Sequence, residues 1–196
     1  MKNQKRTISI FILAGGKSSR MGRDKGLIPL KGRPMISYLI ETIEGLDLPI
    51  SIISNEPGYE SFGYPVFPDL VKDKGPLGGI LSAMSNTESV YCLIISCDSP
   101  FTSQDVIKEL ISEAVLDQIT LGQLGGKLLP FPGVYPGSLK EKVRQNLEAN
   151  HLKLQSFVLE NPHHLIAWEE RCQNPEKQFA NLNTPEDIRF WEEKIK

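Results

Sequence analysis

Glycines, hydroxyls and cations are concentrated in one short stretch near the N-terminus, FILAGGKSSRMGRDKG, residues 11–26. Glycines allow close backbone approach and positive φ, and Ser, Arg and Lys side chains supply hydrogen-bond donors. This combination suits the binding of a polyanion such as a triphosphate, although a flexible surface loop can have the same composition. Two phosphate-binding motifs do not fit, because Phe11 stands where a Walker A loop needs glycine and the glycine spacing is not G-x-G-x-x-G.

The groups of this stretch can be given separate roles toward a phosphate chain. Backbone N–H groups from Ala14 to Gly16 can cradle phosphates, and Arg20 can fork onto the outer ones. Lys25 can neutralise charge that develops on a transferred phosphoryl group. Taken singly, either cation is more typical of a solvated surface. Together in this loop they favour phosphate binding.

Two polar residues follow other apolar runs. Asn55 follows the run 48–54, and Asp98 follows VYCLIIS, residues 90–96. A carboxylate at the end of a strand can hold Mg²⁺, a hard ion that keeps several waters and bridges phosphate oxygens. An aspartate there is equally typical of an Asx turn or a helix cap, and its position alone does not separate the two interpretations.

Apolar runs and helical repeats alternate along the chain, which indicates βαβ units. The fold class predicted is therefore α/β, a Rossmann-like three-layer α/β/α arrangement with a mostly parallel central sheet. Nucleotides bind outside the carboxyl ends of such strands, where the glycine-rich loop, Asn55 and Asp98 are expected. A hairpin is predicted around Gly125–Gly126, a final helix after Thr184, and loop or surface positions for His163 and His164. Strands are predicted at 8–14, 48–54, 64–68 and 90–96, and helices at 34–45, 75–86, 102–115, 137–149 and 152–159.

Composition narrows the class of protein. A chain of 196 residues with 40% hydrophobic and 23% charged residues is expected to form one globular domain, 1–196. A net charge of −2 argues against a protein that coats nucleic acid. No apolar run approaches transmembrane length, so no membrane partner is expected. Three cysteines without a CxxC pair fit reduced thiols in the cytoplasm.

Four motifs carry a resemblance to a known family. The pattern L-A-G-G-x-S-x-R-M-G-x-D-K, from Leu13 to Lys25, resembles the signature loop of the NTP-transferase fold in molybdenum cofactor guanylyltransferases, the MobA family. DLVKDKGPLGGI (69–80), ISCDSP (95–100) and NLNTPED (181–187) are similar to further motifs of that family, in the same order. Gly78 stands where the family usually has alanine, and residues 119–170 match only loosely.

The resemblance implies a nucleotide-diphospho-sugar-transferase-like fold and an enzyme that transfers GMP from GTP to molybdenum-molybdopterin cofactor, releasing pyrophosphate. It implies a nucleotide-binding half of about 1–105, an acceptor-binding half of about 106–196, and Mg²⁺ held by Asp98. It also implies transient contact with molybdoenzymes or their chaperones. The catalytic residues expected are Arg20, Lys25 and Asp98; the nucleotide-binding residues are Leu13, Ala14, Gly15, Gly16, Lys25, Asn55, Asp69 and Asp98; the acceptor-binding residues are Asn181 and Asn183.

Three alternatives remain open on the sequence. The same fold and motifs would serve a cytidylyltransferase for the same cofactor, or a sugar-phosphate nucleotidyltransferase. A non-catalytic nucleotide-binding adaptor is a more distant alternative, because such a protein has less need of Arg20, Lys25 and Asp98 aimed at one phosphate.

Overall fold

Short buried strands and amphipathic helices alternate along most of the chain. The structure, a computed structural model, describes residues 7–15 and 24–195. The strands in these ranges are β1 (Ile8–Leu13), β2 (Pro29–Leu30), β3 (Arg33–Pro34), β4 (Ile50–Ile53), β5 (Val66–Phe67), β6 (Tyr91–Ser96), β7 (Ile119–Leu124), β8 (Lys127–Pro136) and β9 (His163–Ala167). The α-helices in the same ranges are α1 (Met35–Glu44), α2 (Gly75–Ser85), α3 (Gln104–Ser112), α4 (Lys140–Glu148), α5 (Leu154–Leu159), α6 (Pro175–Gln178) and α7 (Pro185–Lys194).

Seven of these strands form one central sheet in the order β5-β4-β1-β6-β8-β7-β9. The first four are mutually parallel, β8 runs antiparallel to both of its neighbours, and β9 is parallel to β7. The strands β2 and β3 pair separately as a short antiparallel ribbon. The predicted mostly parallel sheet is confirmed.

Helices cover both faces of the sheet. Successive side chains of a central strand point to opposite faces, so one strand packs against both layers of helices. Ile10 and Ile12 of β1 belong to a buried cluster that includes residues of α1 and α3. Phe11, between them, belongs to a second buried cluster with residues of α2, α4 and α5. The helices therefore form a layer on each side of the sheet, which is the predicted three-layer arrangement.

The C-terminal part differs from the sequence prediction at one strand. His163 and His164 open β9, which pairs with β7 through the register Ile119↔His163. Of the predicted loop or surface positions the loop is therefore wrong, although both side chains remain partly exposed. The predicted hairpin is confirmed, since β7 and β8 are joined by Gly125 and Gly126, both at positive φ. Among the described residues, every helix is too short or too polar to cross a lipid bilayer.

Candidate active site

A cavity of about 700 Å³ opens where β1, β4 and β6 end. Its volume lies within the range of small-molecule and cofactor sites. Its walls come from four loops and the start of α2, with one contribution from β8. The lining residues are Leu13, Ala14, Gly15, Lys25, Ile53, Asn55, Glu56, Asp69, Lys72, Asp73, Lys74, Gly75, Pro76, Gly79, Ser96, Asp98 and Phe131.

The backbone after β1 enters this cavity. Sheet-like hydrogen bonds continue just past the strand, since the Ala14 N–H donates to the Ile53 carbonyl at 2.9 Å. Gly15 then turns with φ 117°, a conformation that favours glycine. Leu13, Ala14 and Gly15, three of the predicted nucleotide-binding residues, all line the cavity. Gly16 and Arg20, the other two predicted residues of this loop, lie outside the described residues.

Lys25 connects the cavity wall with the C-terminal part of the chain. Its ammonium group lies 3.2 Å from Oδ2 of Asp98 and also donates to Oδ1 of Asn183. The two partners are 73 and 158 positions away from Lys25 in the chain. The fold thus brings together a cation, a carboxylate and an amide that the sequence analysis had assigned to nucleotide and acceptor binding.

Asp98 is held in place by its neighbours on both sides. The hydroxyl of Ser96 donates to its Oδ1 at 2.7 Å, and the N–H of Leu182 donates to its backbone carbonyl at 2.9 Å. Asp98 is 9% exposed, and these two hydrogen bonds orient it at the cavity wall. The Leu182 bond also fixes the segment that carries Asn181 and Asn183 beside this carboxylate.

Asn55 and Asp69 form a second polar pair on the cavity wall. The amide of Asn55 donates to Oδ2 of Asp69 at 3.3 Å, and the N–H of Asp69 donates back to Asn55 Oδ1 at 3.1 Å. The buried hydroxyl of Ser82, on α2, contacts the other carboxylate oxygen at 3.5 Å. Burial raises the pKa of Asp69, and the Ser82 contact partly opposes that change.

The two predicted acceptor residues occupy the turn before α7. Oδ1 of Asn181 accepts from the Ser99 hydroxyl at 2.7 Å, next to Asp98 in the chain. The N–H of Asn183 donates to Asp187 Oδ2 at 2.9 Å, within a capping box that Thr184 forms with Asp187 at the start of α7. Neither asparagine lines the cavity itself, but Asn183 reaches it through Lys25.

The residues around Asp98 suit a magnesium ion that is bound together with phosphates. Mg²⁺ is commonly held by one or two carboxylates, and waters and substrate phosphates supply the other ligands. No cluster of three or more His, Cys, Asp or Glu side chains that could enclose a metal exists in residues 7–15 and 24–195. A single oriented carboxylate in an open cavity fits Mg²⁺ with phosphate, not a site made by protein ligands alone.

Comparison with known proteins gives the family. A sequence profile described as the MobA-like NTP transferase domain matches residues 10–165. The chain belongs to this family. The match covers every residue that lines the cavity, and the segment with Asn181 and Asn183 follows the matched range.

Relatives of the MobA-like family extend the likeness over nearly the whole chain. A protein of Flavobacterium johnsoniae named "probable molybdenum cofactor guanylyltransferase" is 35% identical, over 93% of this chain and 95% of its own. The molybdenum cofactor guanylyltransferase of Haemophilus influenzae is 34% identical, over 93% and 96%. A crystal structure of molybdopterin-guanine dinucleotide biosynthesis protein A from Archaeoglobus fulgidus shares the fold, with a TM-score of 0.81, 19% identity and coverage of 95% and 97%.

Several residues of this MobA-like site were missed by the sequence analysis. Lys72 and Lys74 line the cavity from the loop before α2, and Phe131 lines it from β8. Both lysines belong to the segment DLVKDKGPLGGI, so the sequence could have indicated them. No sequence pattern indicates Phe131, because its place on the cavity wall depends on how β8 pairs with β6.

Proposed function

We propose that this protein transfers GMP from GTP to molybdenum-molybdopterin cofactor, forming molybdopterin guanine dinucleotide and pyrophosphate. The observation that carries the proposal is the position of Lys25, whose ammonium group bridges Asp98 on the cavity wall and Asn183 beside it. A cation at that boundary can contact both a nucleotide and an acceptor. The names of the relatives supply the identities of both substrates.

The transfer needs no protein nucleophile. The terminal phosphate of the acceptor is largely a dianion at pH 7, since its second pKa is about 6. One of its oxygens attacks the α-phosphorus of GTP, and the bond to the bridging oxygen of the pyrophosphate breaks. Positioning and stabilisation of charge carry such a reaction.

The residues of this chain have distinct tasks in that reaction. The backbone at Ala14 and Gly15 binds the phosphate chain, and Lys25 stabilises the negative charge on the α-phosphoryl oxygens. Asp98 would hold Mg²⁺, which when bound neutralises phosphate charge and fixes the phosphates for attack. Arg20 is assigned to the leaving pyrophosphate.

The two sides of the reaction are assigned to the two halves of the chain. Residues of about 1–105 bind the nucleotide, and the cavity lining supports this, because all of its members except Phe131 lie in that half. Residues of about 106–196 bind the acceptor through Asn181 and Asn183. The hydrogen bonds from Lys25 to Asn183 and from Ser99 to Asn181 join the halves at this point.

Pyrophosphate release with molybdenum-loaded molybdopterin and each of the four nucleoside triphosphates tests the proposal. We expect release with GTP and acceptor together, and with neither alone. The other nucleotides should be slower by roughly 100-fold or more, because a mismatched base leaves buried polar groups unpaired. Removal of Mg²⁺ with a chelator should abolish release, and added Mg²⁺ should restore it.

Each alternative function gives its own result in this assay. Preference for CTP would identify a cytidylyltransferase for the same cofactor. Release only with a sugar phosphate as acceptor would identify a sugar-phosphate nucleotidyltransferase. Nucleotide binding without release, whatever the nucleotide and acceptor, would identify a binding protein.

A further inference from the structure

The backbone that carries Lys25 is fixed by the residue before it. Asp24 precedes a short 3₁₀ turn, Lys25–Leu27, and its Oδ1 accepts from the N–H of Gly26 at 3.1 Å. This bond caps the turn and sets the direction in which the Lys25 side chain leaves the backbone. The precision with which the Lys25 ammonium reaches Asp98 therefore depends on how firmly the Asp24 carboxylate is held.

Tyr59 holds that carboxylate from the protein interior. Its hydroxyl donates to the same oxygen of Asp24, 35 positions away in the chain. A hydrogen bond to a carboxylate is about twice as strong as one between neutral groups. Burial, above all, raises the pKa of Tyr59 far above its ordinary range, so the phenol stays protonated and remains a donor.

The phenol itself has no freedom to move. Tyr59 is fully buried, within the core cluster that contains Ile10 and Ile12 of β1. A Cβ added to Gly26 would lie 2.5 Å from the Tyr59 hydroxyl oxygen and 3.2 Å from Cβ of Cys97. The turn is thus packed between Tyr59 and Cys97, the residue before Asp98.

The Asp24 carboxylate also lies next to the phosphate cradle. A Cβ on Gly15 would be 3.8 Å from its second oxygen, Oδ2. A carboxylate so close to bound phosphates would repel them unless its charge were delocalised into hydrogen bonds. The donors Tyr59 and Gly26 supply such bonds on the other oxygen, Oδ1, while the buried Oδ2 accepts no hydrogen bond in the part of the chain that the structure describes.

We infer that Tyr59 is a positioning residue for the transfer reaction, which acts through Asp24 to aim the Lys25 ammonium at the reacting phosphate. The inference rests on the proposed function. Tyr59 touches neither substrate, so removal of its hydroxyl should change turnover and leave the nucleotide affinity nearly intact. Its effect should also require Lys25.

Steady-state kinetics of Tyr59→Phe, Lys25→Ala and the double variant test the inference. We expect kcat of Tyr59→Phe to fall by about 10- to 100-fold, as for a small misplacement of a catalytic group, with KM for GTP within about threefold of wild type. The double variant should match Lys25→Ala within about twofold. Tyr59 is inferred to act only through the Lys25 ammonium, so its removal should have no further effect once that ammonium is absent. Independent, multiplying effects in the double variant would overturn the inference.

Tyr91→Phe is the matched control. Tyr91 is also fully buried, and its hydroxyl donates to the Val115 carbonyl at 3.4 Å, at the end of β6 far from Asp98. Both variants lose one buried phenol contact, and both should melt a few degrees lower. Only Tyr59→Phe should lose turnover. Equal kcat in the two variants would show that Tyr59 has a structural role alone.

A measurement without substrates separates this inference from the proposed function. Amide hydrogen exchange at Gly26 should be faster in Tyr59→Phe than in Tyr91→Phe, because a looser Asp24 protects that N–H less. If wild type releases no pyrophosphate, the proposed function fails, and the exchange comparison alone decides whether Tyr59 fixes the turn. Unchanged protection of Gly26 would overturn the inference whatever the reaction proves to be.

Discussion

The Lys25 ammonium contributes little to stability, and the proposed function gives it a role in the chemistry. The exposed fractions of the Lys25 and Asp98 side chains are 27% and 13%, so solvent screens their ion pair in part. Pairs with some exposure stabilise a fold by only about 0–1 kcal/mol. A bound nucleotide, in contrast, brings a concentrated negative charge that the same ammonium can meet at short range. The pair with Asp98 thus holds the amine at the cavity wall, where the proposed function requires it to meet phosphates.

Lys25→Ala should therefore separate turnover from stability. We expect pyrophosphate release to fall by about 10²- to 10³-fold, the usual cost of one lost stabilising group in a transition state. The melting temperature should change by less than about 4 °C, since the lost ion pair is worth at most about 1 kcal/mol. Stopped assays for pyrophosphate and thermal melts measure the two effects.

Lys108→Ala serves as the comparison for Lys25→Ala. Lys108 lies exposed on α3, where its ammonium donates to Gln104 within the same helix at 2.6 Å. This variant should keep full turnover, because its charge is not on the cavity wall. Wild-type turnover in Lys25→Ala would remove Lys25 from the mechanism.

The loops that follow β1, β4 and β6 meet because these strands are neighbours and parallel. A side chain directly after such a strand reaches the same edge of the sheet as the others. α7 adds the remaining group, since its capping box fixes Asn183 through Asp187. Each element ends or begins at a residue of the site, so the geometry of the site follows from strand order.

Strand order also explains which features could be predicted from the sequence. The parallel core could be predicted, because β1 and β6 are mostly apolar runs and each is followed by residues of the site. β9 could not, because two histidines and an exposed alanine carry no strand pattern until β7 is beside them. The bond from Tyr59 to Asp24 could not either, since the segment EPGYESFGYP is typical of an exposed loop. Both features depend on contacts between residues that are far apart in the chain.

Gly122→Ala tests the packing of β7 against the segment after β9. A Cβ at Gly122 would lie 2.1 Å from Nε1 of Trp168, which is 1% exposed and has no room to turn away. Overpacking of this kind costs about 1–3 kcal/mol of the free energy of unfolding. We expect a melting temperature lower by about 3–10 °C, with turnover per folded molecule unchanged because the cavity lies at other strands.

Gly137→Ala is the control for that change. The nearest atoms to a Cβ there are the carbonyl oxygens of Val90 and Ser89, at 3.4 and 3.5 Å, which is ordinary contact. Its melting temperature should stay close to that of wild type. Equal melting temperatures for the two alanine variants would show that Trp168 yields to the added methyl group.

One sheet, with a buried cluster on each face, runs through both halves of the molecule. β8 of the C-terminal half pairs directly with β6 of the N-terminal half. The cluster on one face joins Ile10 with Trp168, and the cluster on the other joins Phe11 with Phe157. Neither half can bury its own side of these clusters alone. The proposed division into nucleotide and acceptor halves therefore concerns function alone, and the two halves should unfold together.

Urea unfolding followed by one probe in each half measures that cooperativity. Cys92 and Cys97 are buried in the N-terminal half, and burial raises the pKa of Cys92 to about 12, so both thiols should react only on unfolding. Tryptophan fluorescence reports the C-terminal half, because Trp168 and Trp191 both lie there, and Cys172→Ser removes the partly exposed third thiol. We expect the two midpoints to coincide.

Gly122→Ala, although placed in the C-terminal half, should lower both midpoints equally, because strain beside Trp168 is shared by the whole sheet. A thiol midpoint that stays at the wild-type urea concentration while the fluorescence midpoint falls would show that the halves fold separately.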